Sequence, residues 1–114
     1  SSAFFHAVAQ VAQSSLKDLN AQELARIVWA FAKAGRASPA LFDGIAEVAR
    51  VRLKHFTSQE LASMVWAFVT TCHASPVLFD ATAKIARAGL KDFSSQNLVN
   101  TAWAFAKAGH AAPL

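Results

Sequence analysis

Residues 59–68 are QELASMVWAF, and this stretch decides the fold because the chain contains it three times. The same pattern stands 37 residues earlier as QELARIVWAF (22–31) and 37 residues later as QNLVNTAWAF (96–105). Repetition at a period of roughly 20 to 50 residues is typical of solenoids, in which each unit is too small to bury its apolar face alone. The period therefore indicates stacked repeats that form a binding or scaffolding surface.

Each 37-residue unit contains the signals of two helices. Ser38-Pro39 and Ser75-Pro76 are typical helix starts, because serine can cap the first turn and proline suits the first helical position. Apolar residues at a period of 3.6 continue from Pro39 to about Leu53. This pattern predicts the first helix of the unit.

The second helix begins at a capping box, Thr57 followed by Glu60, and the pattern continues to about Cys72. In the other units the helix ends at Gly35 and Gly109, since glycine favours the left-handed backbone that closes many helices. The sequence therefore predicts an all-α fold, an α-α solenoid of three helix-turn-helix repeats with six helices.

We place the repeats at residues 1–37, 38–74 and 75–111. Residues 112–114 match the start of the unit, so we expect a further repeat to begin there and the chain to be a segment of a longer protein. Solenoids need polar caps at their ends to stay soluble. We therefore expect further repeats or partner proteins to cover the ends.

Composition narrows the class of protein. With 54% apolar and 16% charged residues, the chain is a packed protein and not a disordered one. A net charge of +4 suits a polyanionic partner. Apolar stretches such as Ile27 to Ala32 are too short to span a bilayer, so we expect no membrane insertion. The single cysteine, Cys72, stands where the other units have glycine and excludes a disulfide within the chain.

Chemistry-bearing motifs are missing from the sequence. The four histidines form no ligand set with Cys72, and neither CxxC nor HExxH occurs. The glycines are isolated, so no phosphate-binding loop is present. We expect no enzyme, no catalytic residue, no metal and no cofactor.

A polar line on the second helix is the candidate binding site. Spacings of four, three and four residues place its members on one stripe of the helix. In the three units in turn, the members are Gln22, Arg26, Trp29 and Lys33; Gln59, Ser63, Trp66 and Thr70; and Gln96, Asn100, Trp103 and Lys107. Gln and Trp are constant, whereas the residue between them changes. Arg26, Ser63 and Asn100 can hydrogen-bond base edges, and tryptophan can stack on a base, so these residues with Lys33 and Lys107 are candidate RNA contacts.

The same residues allow a structural interpretation. Trp29, Trp66 and Trp103 can be wedges between repeats, forming a structural core with Phe31, Phe68 and Phe105. The constant glutamines can bond the backbone or form a ladder, and the changing position can be merely exposed. The sequence leaves both interpretations open.

Lys17, Lys54 and Lys91 form a second regular feature, just before the turn between the helices. A row of ammonium groups along one edge can follow a phosphate backbone, which makes these lysines candidate RNA contacts. A lysine near a helix C-terminus is also favoured by the helix dipole alone.

Residues 93–106, FSSQNLVNTAWAFA, together with Ser38–Asp43, resemble the octotricopeptide and heptatricopeptide repeats of organellar RNA-binding proteins. The resemblance covers essentially the whole chain. It implies an α-solenoid in the mitochondrion or the plastid, with the mitochondrion favoured, that contacts organellar mRNA or rRNA. The implied function is non-catalytic RNA binding, as a ribosome-associated factor or an RNA-processing or stability factor. The alternative is a structural protein–protein scaffold subunit of an organellar complex without RNA contact.

Overall fold

The computed structural model describes residues 2–109, and within that range the chain forms six α helices and no β strand. The helices are α1 (Ser2–Gln13), α2 (Ala21–Lys33), α3 (Pro39–Arg50), α4 (Ser58–Thr70), α5 (Pro76–Gly89) and α6 (Ser95–Lys107). The predicted all-α fold of three helix pairs is confirmed. The repeat boundaries stay a prediction, and the expected start of a further repeat at 112–114 lies outside the described residues.

The first helix of the middle unit is shorter than the periodicity predicts. It ends at Arg50, and Leu53–His55 forms a separate 3₁₀ turn. The Phe56 N–H donates to the Leu53 carbonyl at 3.0 Å, which closes this turn. The equivalent turns are Leu16–Asp18 and Leu90–Asp92. The tighter turn keeps Leu53 buried, so the apolar pattern continues past the end of the α helix itself.

Side-chain caps start the second helix of every unit. The Thr57 hydroxyl accepts from the Glu60 N–H at 3.1 Å, and the Glu60 carboxylate accepts from the Thr57 N–H at 2.9 Å. Asn20 and Glu23 form the same capping box, and Ser94 accepts from the Asn97 N–H. These caps satisfy backbone donors that a helix start leaves unpaired.

The caps of the first helices are less regular. Ser75 accepts from the Leu78 N–H at 3.3 Å and caps α5 as expected. The expected cap at Ser38 is wrong, because its side chain makes no capping hydrogen bond. The backbone at Ser38 has ψ of 83°, whereas the capping Thr57 is extended with ψ of 165°. Pro39 alone marks the start of α3.

Left-handed residues end the second helices. Gly35 and Gly109 have φ of +67°, and Cys72 has φ of +58° at the equivalent place. In the middle unit the His73 N–H reaches back to the Phe68 carbonyl at 2.8 Å, a bond typical of a helix closed by a left-handed residue. Cys72 therefore holds a backbone conformation that the other units give to glycine.

The helices form two layers. The first layer contains α1, α3 and α5, with α3 packed between the other two, and the second contains α2, α4 and α6, with α4 in the middle. Two of the first helices also pack on the unit before them: α3 lies against the turn Leu16–Asp18, and α5 against the turn Leu53–His55. The units are thus joined through both layers.

A ladder of phenylalanine rings runs through the core from unit to unit. Ring centroids are 5.2 Å apart for Phe5 and Phe31, 6.5 Å for Phe31 and Phe42, and 4.9 Å for Phe42 and Phe68. Such contacts stabilise beyond the area they bury. Phe105 lies only partly buried, in contact with Phe79 at 5.1 Å.

The tryptophans lie at the margin of this core, and of the three Trp66 packs against it. Their role as wedges between repeats stays a prediction. Trp29 and Trp103 are each 45% exposed, and Trp66 is half-buried. Among the helices of residues 2–109, α4 lies between α2 and α6, which each contact one neighbour within their layer. Burial at this position therefore follows the number of neighbouring helices and not the identity of the residue.

Polar contacts also join the units. The Arg52 guanidinium donates to the carbonyls of Leu19 at 2.9 Å and Lys17 at 3.1 Å. The Arg52 bonds therefore join the middle unit to the turn of the first unit. Within the middle unit, His73 Nε2 lies 2.7 Å from Asp43 Oδ1 and ties the loop after α4 to α3.

Candidate binding surface

The second layer displays the polar stripe of each unit side by side. Because α4 packs on both α2 and α6, we expect the three stripes to lie side by side as four rows across the layer. We call this surface the four-row face; its rows are Gln22, Gln59 and Gln96; Arg26, Ser63 and Asn100; Trp29, Trp66 and Trp103; and Lys33, Thr70 and Lys107. The repeat thus converts a stripe on one helix into a continuous surface.

Two large aromatic side chains are exposed on this face. A buried tryptophan stabilises a core, but an indole that remains 45% exposed, as at Trp29 and Trp103, offers a flat apolar surface to a partner. Arg26 beside them is exposed as well, and Ser63 and Asn100 are half-exposed. All three residues of the changing row are therefore accessible to a ligand.

Local contacts show how the face is organised. The Lys33 ammonium lies over the indole of Trp29, 5.8 Å from the ring centroid, within the range of a cation–π interaction. The Gln96 amide donates to the Asn100 side chain at 3.0 Å. On α6, therefore, the glutamine of the first row bonds to the changing residue of the second row. This contact lies within one helix, whereas the ladder that the sequence allowed would join glutamines of neighbouring units.

A cleft of about 550 Å³ lies between the second helices of the first two units. Its walls are Gln22, Ala25, Arg26, Trp29 and Ala30 on one side and Thr57, Gln59, Glu60 and Ser63 on the other. The structure therefore brings Arg26 and Ser63 together in one site. Glu60 also lines the cleft, although the sequence indicated only its role as a cap. The sole signal for this second role was its place next to the constant Gln59.

The charge of the four-row face is positive. Among its twelve positions Arg26, Lys33 and Lys107 are basic and none is acidic. Two of the three acidic residues of the middle unit lie on the first layer, where Asp43 contacts His73 and Glu47 pairs with Arg50 at 3.1 Å. The capping Glu60 is the acidic group at the cleft, and its carboxylate accepts from the Thr57 N–H. This distribution favours an anionic or polar partner on the second layer.

The structure does not bring all candidate RNA contacts together. Lys17, Lys54 and Lys91 are exposed in the 3₁₀ turns, at the end of the unit where the second helix starts. Lys33 and Lys107 lie at the other end of that helix. At a rise of about 1.5 Å per residue, the 13-residue α2 separates the two ends by roughly 18 Å. The lysines therefore form two groups on opposite edges.

Other kinds of site have no support in residues 2–109. No group of three or more His, Cys, Asp or Glu side chains there could hold a metal ion. None of the described helices combines the length and the apolar character needed to cross a bilayer. Cys72 is free and exposed at the end of α4.

The comparisons with known proteins correct the resemblance drawn from the sequence. The family model that matches, over residues 2–112, is that of the RNA-editing substrate-binding complex 6 protein, and not an octotricopeptide or heptatricopeptide family. Comparison with curated proteins gives no match. The resemblance rested on Gln, Leu, Trp-Ala-Phe and Pro, which the three units share in register at a spacing of 37 residues. Because its model matches nearly the whole chain, the RNA-editing substrate-binding complex 6 protein family is the one to which this chain belongs.

Proposed function

We propose that this chain is a non-catalytic structural subunit of a mitochondrial RNA-editing substrate-binding complex, and that its helical stack joins partner proteins. The observation that carries the proposal is the family match over residues 2–112. A two-layer stack with accessible faces suits such a role, since stacked helix pairs create extended binding surfaces. The match favours the scaffold alternative and gives no support to a ribosomal or a plastid role.

The test is affinity purification of the tagged full-length protein from mitochondria, with and without RNase treatment. We expect the other proteins of an RNA-editing substrate-binding complex to be recovered, and to remain bound after RNase because protein contacts hold them. Recovery of none of these proteins would refute the proposal. Loss of all of them after RNase would show that RNA, and not this chain's protein contacts, tethers the assembly.

A second candidate function is direct contact with single-stranded RNA through the four-row face. The exposed indoles of Trp29 and Trp103 favour it, because bases stack on exposed aromatic side chains without sequence preference. Arg26, Lys33 and Lys107 supply the positive charge that follows a phosphate backbone. In this proposal, Ser63 and Asn100 contact base edges beside the stacked bases.

Binding of a labelled single-stranded RNA, followed by anisotropy at several salt concentrations, tests this candidate. The double variant Lys33→Gln/Lys107→Gln should reduce the log–log salt slope by about 1.4, at about 0.7 per phosphate contact. Replacing Lys17, Lys54 and Lys91 by Gln tests the opposite edge in the same way. Lys84→Gln, exposed on α5 in the first layer, is the control and should change nothing.

Stacking has its own test. Trp29→Leu keeps an apolar side chain and removes the indole, so RNA affinity should fall roughly five- to a hundredfold, the equivalent of about 1–3 kcal/mol per stacked base. The matched control Val51→Leu changes an exposed apolar residue of the other layer. Unchanged affinity in Trp29→Leu and an unchanged slope in the lysine variants would eliminate RNA contact at this face.

A further inference from the structure

The cleft between the first two units combines a basic and an acidic side chain on opposite walls. Arg26 comes from α2 and Glu60 from α4, and Trp29 lies in the same wall as Arg26. Within residues 2–109, Arg26 forms no ion pair with Glu60 or with any other acidic group. A charged donor and a charged acceptor therefore line one space without neutralising each other.

The neutral polar groups of the cleft are also available to a ligand. The side chains of Gln22, Gln59 and Ser63 make no hydrogen bond to any part of the chain that the structure describes. Glu60 accepts from the Thr57 N–H through one carboxylate oxygen, Oε1, and its second oxygen retains further acceptor capacity. The cleft volume of about 550 Å³ is typical of small-molecule sites.

The second junction, between α4 and α6, lacks this charged pair and is tied by a neutral bond instead. Ser63 and Asn97 stand there in the places of the arginine and the glutamate. The Asn97 side-chain amide donates across the junction to the Ser58 hydroxyl at 3.2 Å. At the first junction Ala21 stands in the place of Ser58 and has no hydroxyl, so Glu60 has no such partner. The charged cleft is therefore specific to the first junction and is not a general product of the repeat.

Guanine is the nucleobase whose hydrogen-bonding groups complement both walls. Its O6 and N7 accept two bonds from a guanidinium, the commonest specific contact of arginine with a base. Its N1–H and its exocyclic amine donate from another edge, and a carboxylate, which only accepts, suits them. Adenine offers an amine where guanine has O6, so it cannot accept both bonds from the arginine, and uracil has no exocyclic amine for the carboxylate.

We propose that this cleft binds the base of a guanine nucleotide, either within single-stranded RNA or free in solution. Arg26 donates to O6 and N7, Glu60 accepts from N1–H and the exocyclic amine, and the base stacks on the indole of Trp29, which is 45% exposed. The Lys33 ammonium, 5.8 Å from the centroid of that indole, supplies a positive charge for the phosphate. The inference rests on the second candidate function, contact of RNA with the four-row face, and names the base that this face selects.

Binding of labelled RNA tests the preference for guanine. Short oligouridines that carry a single central guanine, adenine or cytosine are compared with plain oligouridine by anisotropy. The guanine RNA should bind roughly five- to a hundredfold more tightly than each of the others, the discrimination expected of a good side-chain–base pair. Arg26→Ser, which installs the residue of the middle unit, and Glu60→Gln should each remove most of this preference.

The sign of the Glu60→Gln effect separates base recognition from general electrostatics. Removing a negative charge should leave binding of plain oligouridine unchanged or strengthen it, because RNA is a polyanion. Recognition of guanine requires the opposite result for the guanine RNA, which should bind more weakly since glutamine has only one acceptor oxygen to offer.

Two matched controls and a fold control accompany these variants. Glu47→Gln and Arg50→Ser make the same exchanges on the first layer, where the two residues pair with each other at 3.1 Å, and they should leave the guanine preference unchanged. Glutamine also serves in capping boxes, so circular dichroism of Glu60→Gln should show native helix content.

Titration with guanosine monophosphate distinguishes a free nucleotide from RNA. In nuclear magnetic resonance spectra the indole N–H signal of Trp29 should shift with guanosine monophosphate and far less with uridine monophosphate. Trp103 is equally exposed but lies outside the cleft, so its signal should stay in place. If the nucleotide shifts Trp29 while the guanine RNA binds no better than the others, the ligand of the cleft is the free nucleotide.

The outcomes separate this proposal from the RNA contact on which it rests. Equal affinity for every RNA, with no shift of Trp29 by the nucleotide, would overturn the guanine site and leave the RNA contact standing. Absence of binding to any RNA would refute that contact, and the nucleotide titration would then decide the guanine site alone. Tightest binding of the cytosine RNA, or a guanine preference that survives both Arg26→Ser and Glu60→Gln, would show that this pair does not bind guanine.

Discussion

Replacing Cys72 by glycine should stabilise the protein. Cys72 has φ of +58°, and its counterparts Gly35 and Gly109 have φ of +67°. A Cβ in this left-handed region costs roughly 1–2 kcal/mol. Glycine removes that cost, but its greater freedom in the unfolded chain returns about 0.5–1 kcal/mol. Taken at the middle of each range, the expected net gain is about 0.75 kcal/mol in the free energy of unfolding.

Thermal and urea unfolding monitored by circular dichroism measure this gain. For a chain of this size, about 0.75 kcal/mol raises the melting temperature by roughly 2–6 °C. The comparison should be made under reducing conditions, because Cys72 is exposed and free.

Two further variants isolate the cause. Cys72→Ala removes the thiol but keeps the Cβ, so it should leave the stability close to that of the wild type. Gly35→Ala adds a Cβ at the equivalent end of α2, where nothing lies within 4 Å, so any loss there is conformational and should be about 1 kcal/mol. If Cys72→Ala stabilised as much as Cys72→Gly, the thiol and not the backbone would be responsible, and the reasoning would fail.

Three more substitutions test how the units are built and joined. Thr82→Val should raise the free energy of unfolding by about 1–2 kcal/mol, because the Thr82 hydroxyl is fully buried without a hydrogen-bond partner. If chemical denaturation showed a loss of stability instead, the hydroxyl would have a partner such as a water. Arg52→Lys should lower the free energy of unfolding by about 1–3 kcal/mol, since one ammonium cannot replace the two guanidinium nitrogens that bind the carbonyls of Leu19 and Lys17. Equal stability of the two proteins in the same assay would show that these bonds contribute nothing. Thr57→Ala should lower the melting temperature through the loss of about 1 kcal/mol of capping, and Thr57→Ser should restore most of it.

Local signals explain why so much of the fold could be predicted. The capping boxes at Asn20 and Thr57 and the glycines at the helix ends act within one or two turns, so their meaning does not depend on distant residues. Because the sequence repeats every 37 residues, each local inference applies to all three units. The tighter 3₁₀ turns escaped prediction because Leu53 is apolar and buried in either kind of helix.

The candidate site was predicted less completely, for geometric reasons. The wheel places Arg26 and Trp29 on one stripe, and both line the same cleft, but burial depends on how many helices flank that stripe. Trp66 on α4 has two such neighbours and is half-buried, whereas Trp29 has one and is exposed. Arg52 had no signal at all, because its counterparts are Ser15 and Gly89, and a contact made once leaves no repeated pattern. The family was misassigned because a short pattern of repeated residues and a period do not by themselves distinguish one family of helix-pair repeats from another.

The third unit has a more polar and more exposed core than the middle unit. Thr82 and Thr101 replace Ile45 and Met64 of the middle unit, and both hydroxyls are buried without a partner. Leu98 and Phe105 are more exposed than Leu61 and Phe68, so this unit buries less apolar surface and leaves more polar atoms unsatisfied. In a stack whose stability is a sum over units and junctions, the end with the weakest unit opens first. Burial of Leu98 would therefore stabilise α5 and α6.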